Sequence, residues 1–416
     1  MTAYSKQLVV LVGGRGTRLG EAARNTPKPL MPIDGDRVFL DYFLESAARQ
    51  GFDDILLLAG HLGEQVEARY DHRTVFGAHI NVLIEPEPMG TGGALVFARD
   101  RLAGTFVAAN GDTLFDSNIR ALDGRLQGDP SLLGVLALRQ VDNAGRYGSV
   151  DLDGDGRIHR FLEKTPGSEG SAGLINGGIY ALRREALDRL TALPASIETD
   201  LFPLLAAENR LGGRVSDGYF LDIGLPETLQ IARDELPRRQ RRAVFLDRDG
   251  VLNIDKNYVH KYEDWEWVPG AIDTIRAFND RNYAVIVVTN QAGVAHGYYP
   301  ESAIWTLHHA IQADLHAAGA FVDAFYYCPY HEKGVSPAYQ VGDHPDRKPN
   351  SGMLLKAAAR FGLDLQNSLL IGDRQSDIDA ATAAGVKGHL FPGGDLMAFV
   401  ETLGVDAARP REDQSL

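Results

Sequence analysis

Two groups of residues have the types and spacing for phosphorus chemistry. In the first, Gly13, Gly14, Gly16 and Thr17 follow the apolar run at 8–12. Bare amides after a strand let phosphate oxygens approach without a Cβ in the way, although a plain tight turn uses the same residues. Arg15 and Arg18 add cationic reach. Lys28 is pinned between Pro27 and Pro29, whose fixed φ presents the ammonium from a rigid backbone. The spacing lacks the lysine-serine/threonine ending of a P-loop and does not give the GxGxxG fingerprint. In the second group, Asp247 and Asp249 stand two apart after the apolar AVFL and before Gly250. That spacing lets one carboxylate attack phosphorus while its neighbour handles the leaving group's proton, and it also suits a calcium-like or turn cluster. Thr289 and Asn290 end a second apolar run, Arg347 and Lys348 follow, and Asp373 and Asp377 close the series in GDRQSDID.

These residues need strand ends to hold them. Short runs rich in Val, Ile and Leu (LVVLV, ILLLA, INVLI, TFVAAN, then AVFLD, AVIVVTN, AFVDAFYY, SLLIG) alternate with longer helical patterns such as FLDYFLESAARQG and TGGALVFARDRL. This is the pattern of α/β units around parallel sheets. At roughly 150 residues per domain, 416 residues predict two or three domains. The cationic stretch LPRRQRR, with a proline and no apolar period, marks a break. The expected division is a first domain over 1–234, a linker over 235–242, a second domain over 243–395 and a polar tail over 396–416. A formal charge of -14 opposes loose binding to nucleic acid or to an anionic membrane. One cysteine, Cys328, allows no intrachain disulfide, and no apolar stretch predicts a signal peptide or a membrane span. A soluble cytoplasmic enzyme of small molecules is expected; homo-oligomerisation is left open.

The first half resembles the sugar-1-phosphate nucleotidyltransferases. GGRGTRL and PKP are followed in order by EPEPMGTGGA at 85–94, NGDTLFD, RYGSV, FLEKTP, INGGIY and FLDIG. The resemblance implies that Asp112 and Asp222 hold a catalytic Mg²⁺ and that Arg18 and Lys28 bind phosphates. Gly90, Thr91, Gly92 and Gly93 would line the nucleobase pocket with the glycine loop. Tyr147, Gly148, Glu163, Lys164, Asn176 and Gly177 would bind the sugar phosphate. The physical demand agrees: displacing pyrophosphate needs in-line attack at the α-phosphorus and neutralised oxygens. INGGIY with YFLDIGLPETL and GTGGAL is most similar to the D-glycero-α-D-manno-heptose 1-phosphate guanylyltransferases. Mannose-1-phosphate guanylyltransferases and amino-sugar uridylyltransferases share much of the pattern.

The second half resembles the haloacid dehalogenase-type phosphatases through its four ordered motifs. The resemblance makes Asp247 the nucleophile and Asp249 the acid and then base. Asp247, Asp373 and the Asp249 backbone carbonyl would bind Mg²⁺. Thr289, Asn290, Arg347 and Lys348 would hold the phosphoryl group and substrate. DRDGVLN, VPGA, TNQAGVAHGYY and DRKPNSGM are similar to the heptose-1,7-bisphosphate 7-phosphatases, with histidinol-phosphate phosphatases as close relatives. Too few residues separate the first two motifs for a large cap domain. Relatives often carry a CxH…CxC zinc loop; here Cys328, His331, His344 and Asp346 remain, and a metal-free loop is expected rather than zinc. His296 replaces a common arginine, and a packed or solvated ring is expected there.

Together the resemblances imply two Rossmann-like domains, the first with a mixed sheet, in an enzyme that makes a GDP-heptose precursor for lipopolysaccharide or an S-layer glycan. Its substrates would be heptose phosphates and GTP. The alternatives are other sugar phosphates with another nucleotide, or a phosphatase regulated by an inactive nucleotide-sensing domain.

Overall fold

The computed structural model describes residues 4–14, 16–144, 149–162 and 172–405. Two compact units divide the chain, Met1–Arg238 and Arg239–Leu416. Among the described residues no helix is long and apolar enough to cross a membrane.

In the first unit the strand Gln7–Leu11 runs parallel to Asp54–Ala59 on one side and Thr105–Asn110 on the other. Ala78–Ile84 extends the parallel part, while Gly173–Arg183 lies antiparallel to Thr105–Asn110, so the sheet is mixed. Leu8, Val9 and Val10 are fully buried, as befits a strand covered on both faces. Their alternation divides the core: Leu8 and Val10 pack with Phe39, Phe43 and Leu44 of the helix Phe39–Arg49, whereas Val9 packs with Leu95 and Phe106. The short strands Thr113–Phe115 and Phe220–Asp222 pair antiparallel with Asp222 opposite Thr113. This pairing brings together carboxylates from distant parts of the sequence.

The second unit has five parallel strands in the order Ala324–Cys328, Ala284–Asn290, Ala243–Leu246, Leu369–Gly372 and Lys387–Leu390. Ala243–Leu246 is central, and its four residues are buried. The helix Ala271–Asp280 packs Ile275 and Phe278 on one face of the sheet, and Glu301–Ala317 adds Leu307, Ile311 and Leu315 at helical spacing. Between Asp247 and Ala284 stand one short 3₁₀ turn, Tyr262–Asp264, and the helix Ala271–Asp280, with no separate cap domain. Trp265 and Trp267 pack edge to face at 5.1 Å against the core.

Three expectations need correction. The strand expected over AFVDAFYY begins only at Ala324, because Phe321 and Val322 are buried in the preceding loop. The stretch expected as a linker over 235–242 is partly built in: Arg241 pairs with Asp323 at 3.2 Å and bridges to Leu363. The tail expected over 396–416 opens with a helix, Leu396–Thr402, whose Leu396 and Val400 join the second core. The run LMAFV at 396–400 is apolar throughout and sets Leu396 and Val400 one helical turn apart, so the polar composition begins only beyond it. Leu396→Ala should therefore lower the stability of the second unit by about 2–5 kcal/mol, read as an earlier unfolding transition in urea. An unchanged transition would mean that the helix does not belong to the core.

Candidate active sites

In the first unit the Lys28 side chain is almost fully buried. Its Nζ lies 2.6 Å from Asp112 Oδ2 and 3.5 Å from Asp222 Oδ1. Asp112 follows the strand Thr105–Asn110, and the Ile223 amide donates to its backbone carbonyl. Gly224 completes the corner: its amide donates to Asp222 Oδ1 at 2.5 Å, and a Cβ there would meet Asp222, Arg18 and Lys28. Thus Asp112, Asp222, Lys28 and the exposed Arg18 converge. The pair of carboxylates offers oxygen ligands of the kind a hard divalent cation takes.

A cavity of about 460 Å³ opens beside Asp112, lined by Gly13, Gly14, His61, Glu85, Gly90, Thr91 and Asn110. Burial raises the Glu85 carboxyl above its ordinary value, while the Met89 amide donates to it. Gly92 and Gly93 do not share in this lining. Their amides donate to the Ala195 carbonyl at 2.8 and 3.1 Å, which ties the start of the helix Gly90–Phe97 to a neighbouring segment. Gly90 is required by its φ of +76° and by the Ala195 oxygen 2.4 Å from where a Cβ would stand. Gly16 and the exposed Thr17 lead into the turn that carries Arg18, and neither lines this cavity. Asn176 donates to the Tyr180 hydroxyl at 2.9 Å, and Gly177 is buried against the Phe115 ring. Arg15, Tyr147, Gly148, Glu163 and Lys164 lie outside the described residues.

In the second unit the functional side chains stand at the carboxyl ends of parallel strands, where open α/β sheets bind ligands. Lys348 Nζ is buried 2.8 Å from Asp247 Oδ1 and 2.6 Å from Asp377 Oδ1, and it also donates to the Val288 carbonyl at 2.9 Å. Burial opposes the lysine's charge, but Asp247 and Asp377 outweigh it and hold the ammonium above its ordinary value. Burial raises Asp247 in turn, against the pull of Lys348 and with the push of Asp377. Asn290 accepts from the Lys348 amide at 3.1 Å and donates to its carbonyl at 3.0 Å, so it fixes the lysine's backbone.

Asp247, Asp373 and Asp377 each offer an oxygen within 4.8 Å of the others. Asp373 Oδ1 is buried without a hydrogen-bond partner. Three carboxylates face the Lys348 ammonium and the exposed Arg374 guanidinium, 3.7 Å from Asp373, which leaves surplus negative charge, and an all-oxygen set suits a hard divalent cation. Gly250 makes the approach feasible: at φ +90° a Cβ would stand 2.5 Å from Asp373 Oδ2. Asp377 was not among the expected ligands. The Asp249 carboxylate turns away from this group and accepts from Arg248 at 2.9–3.2 Å and from Gln291 Nε2 at 2.8 Å. Arg248 is completely buried and also donates to Gln291 and the Val259 carbonyl. Thr289 is buried, and its hydroxyl accepts from Gln291 at 2.9 Å. Sequence reasoning passed over Arg248 and Gln291, although both lie inside the quoted motifs. An arginine two residues beyond a four-residue buried strand, between two aspartates, has to be paired when it is buried, and that was the available signal.

A cavity of about 430 Å³ joins Asp247, Asp249, Thr289 and Lys348 to Tyr258, His296, His331 and Arg347. His296 lines this cavity as a packed ring, 4.8 Å from that of His331 and against Tyr258 and Tyr298. Of the four loop residues with zinc-ligand chemistry, three are in mutual contact: Cys328 Sγ lies 3.9 Å from His344 Nδ1, which also accepts from the Asp346 amide at 3.1 Å. Burial pushes the thiol up, His344 stacks on Tyr330 at 4.1 Å, and the Asp346 carboxylate pairs with Lys356.

Removing the buried ammonium should expose the cost of its two partners. Lys348→Met is expected to destabilise the second unit by about 3–5 kcal/mol, and adding Asp377→Asn should recover part of that loss in chemical denaturation without divalent cations. Equal stability of Lys348→Met and the unaltered protein would contradict the buried pairing.

The comparisons with known proteins follow the same division. The Nucleotidyl transferase family model matches residues 7–238, and the HAD-hydrolase-like model matches residues 345–402. A D-glycero-alpha-D-manno-heptose 1-phosphate guanylyltransferase of Aneurinibacillus thermoaerophilus is 36% identical over 233 residues, 55% of this chain and 98% of that protein. A D-glycero-beta-D-manno-heptose-1,7-bisphosphate 7-phosphatase of Rhodopseudomonas palustris is 40% identical over 171 residues, 41% of this chain and 94% of its own length. A D-glycero-alpha-D-manno-heptose-1,7-bisphosphate 7-phosphatase of Campylobacter jejuni is 43% identical over 145 residues, 35% of this chain and 78% of that protein. The chain thus belongs to the nucleotidyl transferase family in its first half and, in its second, to the HAD-like family of the heptose-bisphosphate 7-phosphatases.

Proposed function

We propose that this chain catalyses two successive steps of GDP-heptose synthesis. The second unit removes the 7-phosphate of D-glycero-α-D-manno-heptose 1,7-bisphosphate, and the first joins the resulting 1-phosphate to GMP from GTP, releasing pyrophosphate. One observation carries this reading: the relatives of one half are named for forming the compound that the relative of the other half is named for consuming. The 7-phosphatase relatives include proteins named for either anomer. The α form is chosen because the guanylyltransferase relative is named for it.

In the phosphatase unit Asp247 attacks the phosphorus in line and forms an aspartyl-phosphate as the bond to the sugar oxygen breaks. Asp249 swings from Arg248 and Gln291 to give that oxygen its proton. It then takes a proton from the water that attacks the aspartyl-phosphate, which frees Asp247 and inorganic phosphate. Lys348 and Thr289 stabilise the phosphoryl oxygens, while Arg347 contributes to substrate binding and Asn290 keeps Lys348 in place. Asp247, Asp373 and the Asp249 carbonyl, with Asp377 beside them, hold Mg²⁺. In the transferase unit Asp112 and Asp222 hold Mg²⁺, and Arg18 and Lys28 neutralise the triphosphate. The ion at each site, when bound, polarises the attacked phosphate. The base of GTP enters the cavity at Gly13, Gly14, Gly90 and Thr91. The sugar phosphate meets Asn176, Gly177, Tyr147, Gly148, Glu163 and Lys164. The enzyme is read as cytoplasmic, acting on small molecules without nucleic acid or membrane.

Purified protein with Mg²⁺ should release phosphate from the bisphosphate and form GDP-heptose from the 1-phosphate and GTP, in preference to the β anomer and the other three nucleoside triphosphates. Asp247→Asn should lower phosphate release at least about a thousandfold while sparing transfer, and Asp112→Ala should do the reverse. Transfer that fails with every nucleotide, while nucleotide alters the phosphatase rate, would favour the sensing-domain reading.

A further inference from the structure

Gln291 is buried in the phosphatase unit, and both polar atoms of its side chain are committed. Its Oε1 accepts from Arg248 Nη2 at 3.0 Å and from the Tyr299 hydroxyl at 2.9 Å, while its Nε2 donates to Asp249 Oδ2 at 2.8 Å and to Thr289 Oγ1 at 2.9 Å. A guanidinium has no acceptor, so the amide oxygen must face Arg248 and the amide nitrogen must face Asp249 and Thr289. Tyr299 is fixed in turn: its ring stacks on His260 at 4.4 Å, and a Cβ on Gly293 would overlap it. The amide therefore has one orientation, set by an arginine and a phenol at its oxygen.

The two amide protons serve two different groups. One holds the Asp249 carboxylate in its resting place. The other fixes the rotation of the Thr289 hydroxyl, whose own proton must then point away from Gln291. Thr289 lines the cavity with Asp247 and Lys348, and among the described residues no acceptor takes that proton. A hydroxyl proton left over in such a cavity has a ready partner in a phosphoryl oxygen. We infer that Gln291 is a positioning residue that aims the Thr289 hydroxyl at the transferring phosphoryl group and parks Asp249 beside it, with Arg248 and Tyr299 holding the amide in register. The inference rests on the phosphatase reading above. One amide thus prepares two parts of the same step: the donor that stabilises charge on the phosphoryl oxygens and the acid that protonates the departing one.

The test uses the full chain with Mg²⁺ and two phosphates, and it reads kcat/KM, which covers the step in which the leaving group departs. The heptose 1,7-bisphosphate loses an alkoxide that needs the proton of Asp249, whereas p-nitrophenyl phosphate loses a phenolate that needs none. Gln291→Glu keeps the size of the side chain and replaces its two donors with acceptors. It should cost about a hundredfold on the bisphosphate and only about tenfold on the aryl phosphate, the difference being the share carried by Asp249. In a Thr289→Val background the aryl-phosphate loss should nearly vanish, because the hydroxyl that Gln291 aims is gone. Tyr299→Phe removes one bond at the amide oxygen and leaves Arg248 in place, so it should show the same split at smaller size, about threefold on the bisphosphate, even if Gln291→Glu fails to fold. Equal losses on the two phosphates in either variant, or a loss on the aryl phosphate that persists undiminished with Thr289→Val, overturns the positioning role. Absence of turnover of both compounds by the unaltered protein would strike the phosphatase reading itself, and the inference with it.

Discussion

The ammonium of Lys348, buried between Asp247 and Asp377, is the contact that the second unit is arranged around. A buried carboxylate such as Asp247 beside another, Asp377, is costly unless a cation is held close. The central strand sets Asp247, its neighbour Leu369–Gly372 leads into Asp373 and the helix Gln375–Ala383 that carries Asp377, and Ala284–Asn290 secures the lysine through Val288 and Asn290. Each strand end therefore contributes to one balance of charge. Arg248 repeats the logic one layer deeper, where a buried guanidinium holds the second aspartate and Gln291 together.

The first unit meets the same need on an unrelated sheet. Lys28 is buried between Asp112 and Asp222, and its rigid Pro-Lys-Pro setting replaces the asparagine clamp that fixes Lys348. The two solutions differ in exposure. Asp112 and Asp222 keep about a third of their side-chain surface, at 35% and 31%, whereas Asp247 keeps 10%. On the function proposed above, carboxylates that share a cation with a triphosphate have to stay open, while one that attacks phosphorus gains from being enclosed.

Most of this was legible in the sequence, for identifiable reasons. Strands such as AVFL and AVIVV are covered on both faces, so their apolar runs are unbroken, and the chemistry follows directly at their ends. Residues joined by local motifs, Asp247 with Asp249 or Lys28 between its prolines, could be recognised as pairs. What could not be read depends on contacts remote in sequence. Gly92 and Gly93 resemble a pocket lining, but their amides are spent on Ala195; Asp377 joins the acidic group only because Gly372 lets its side chain approach. Likewise, the ring contact of His296 depends on His331 from a separate loop, whereas Leu396 enters the core through the apolar run LMAFV, which the polar residues beyond it overshadowed.

The tether on Lys348 has a wider consequence. The lysine itself belongs to no helix or strand, yet its amide, carbonyl and ammonium are all bound to the strand Ala284–Asn290. The long loop that precedes it, from residue 329 to 345, is thereby relieved of any duty to place it. Such a loop can pack its rings on one another, as Tyr330 does on His344, while the lysine end of the site stays where it is. Recognition of what lies beyond the reacting phosphate is then free to diverge, on a segment whose drift the chemistry does not feel.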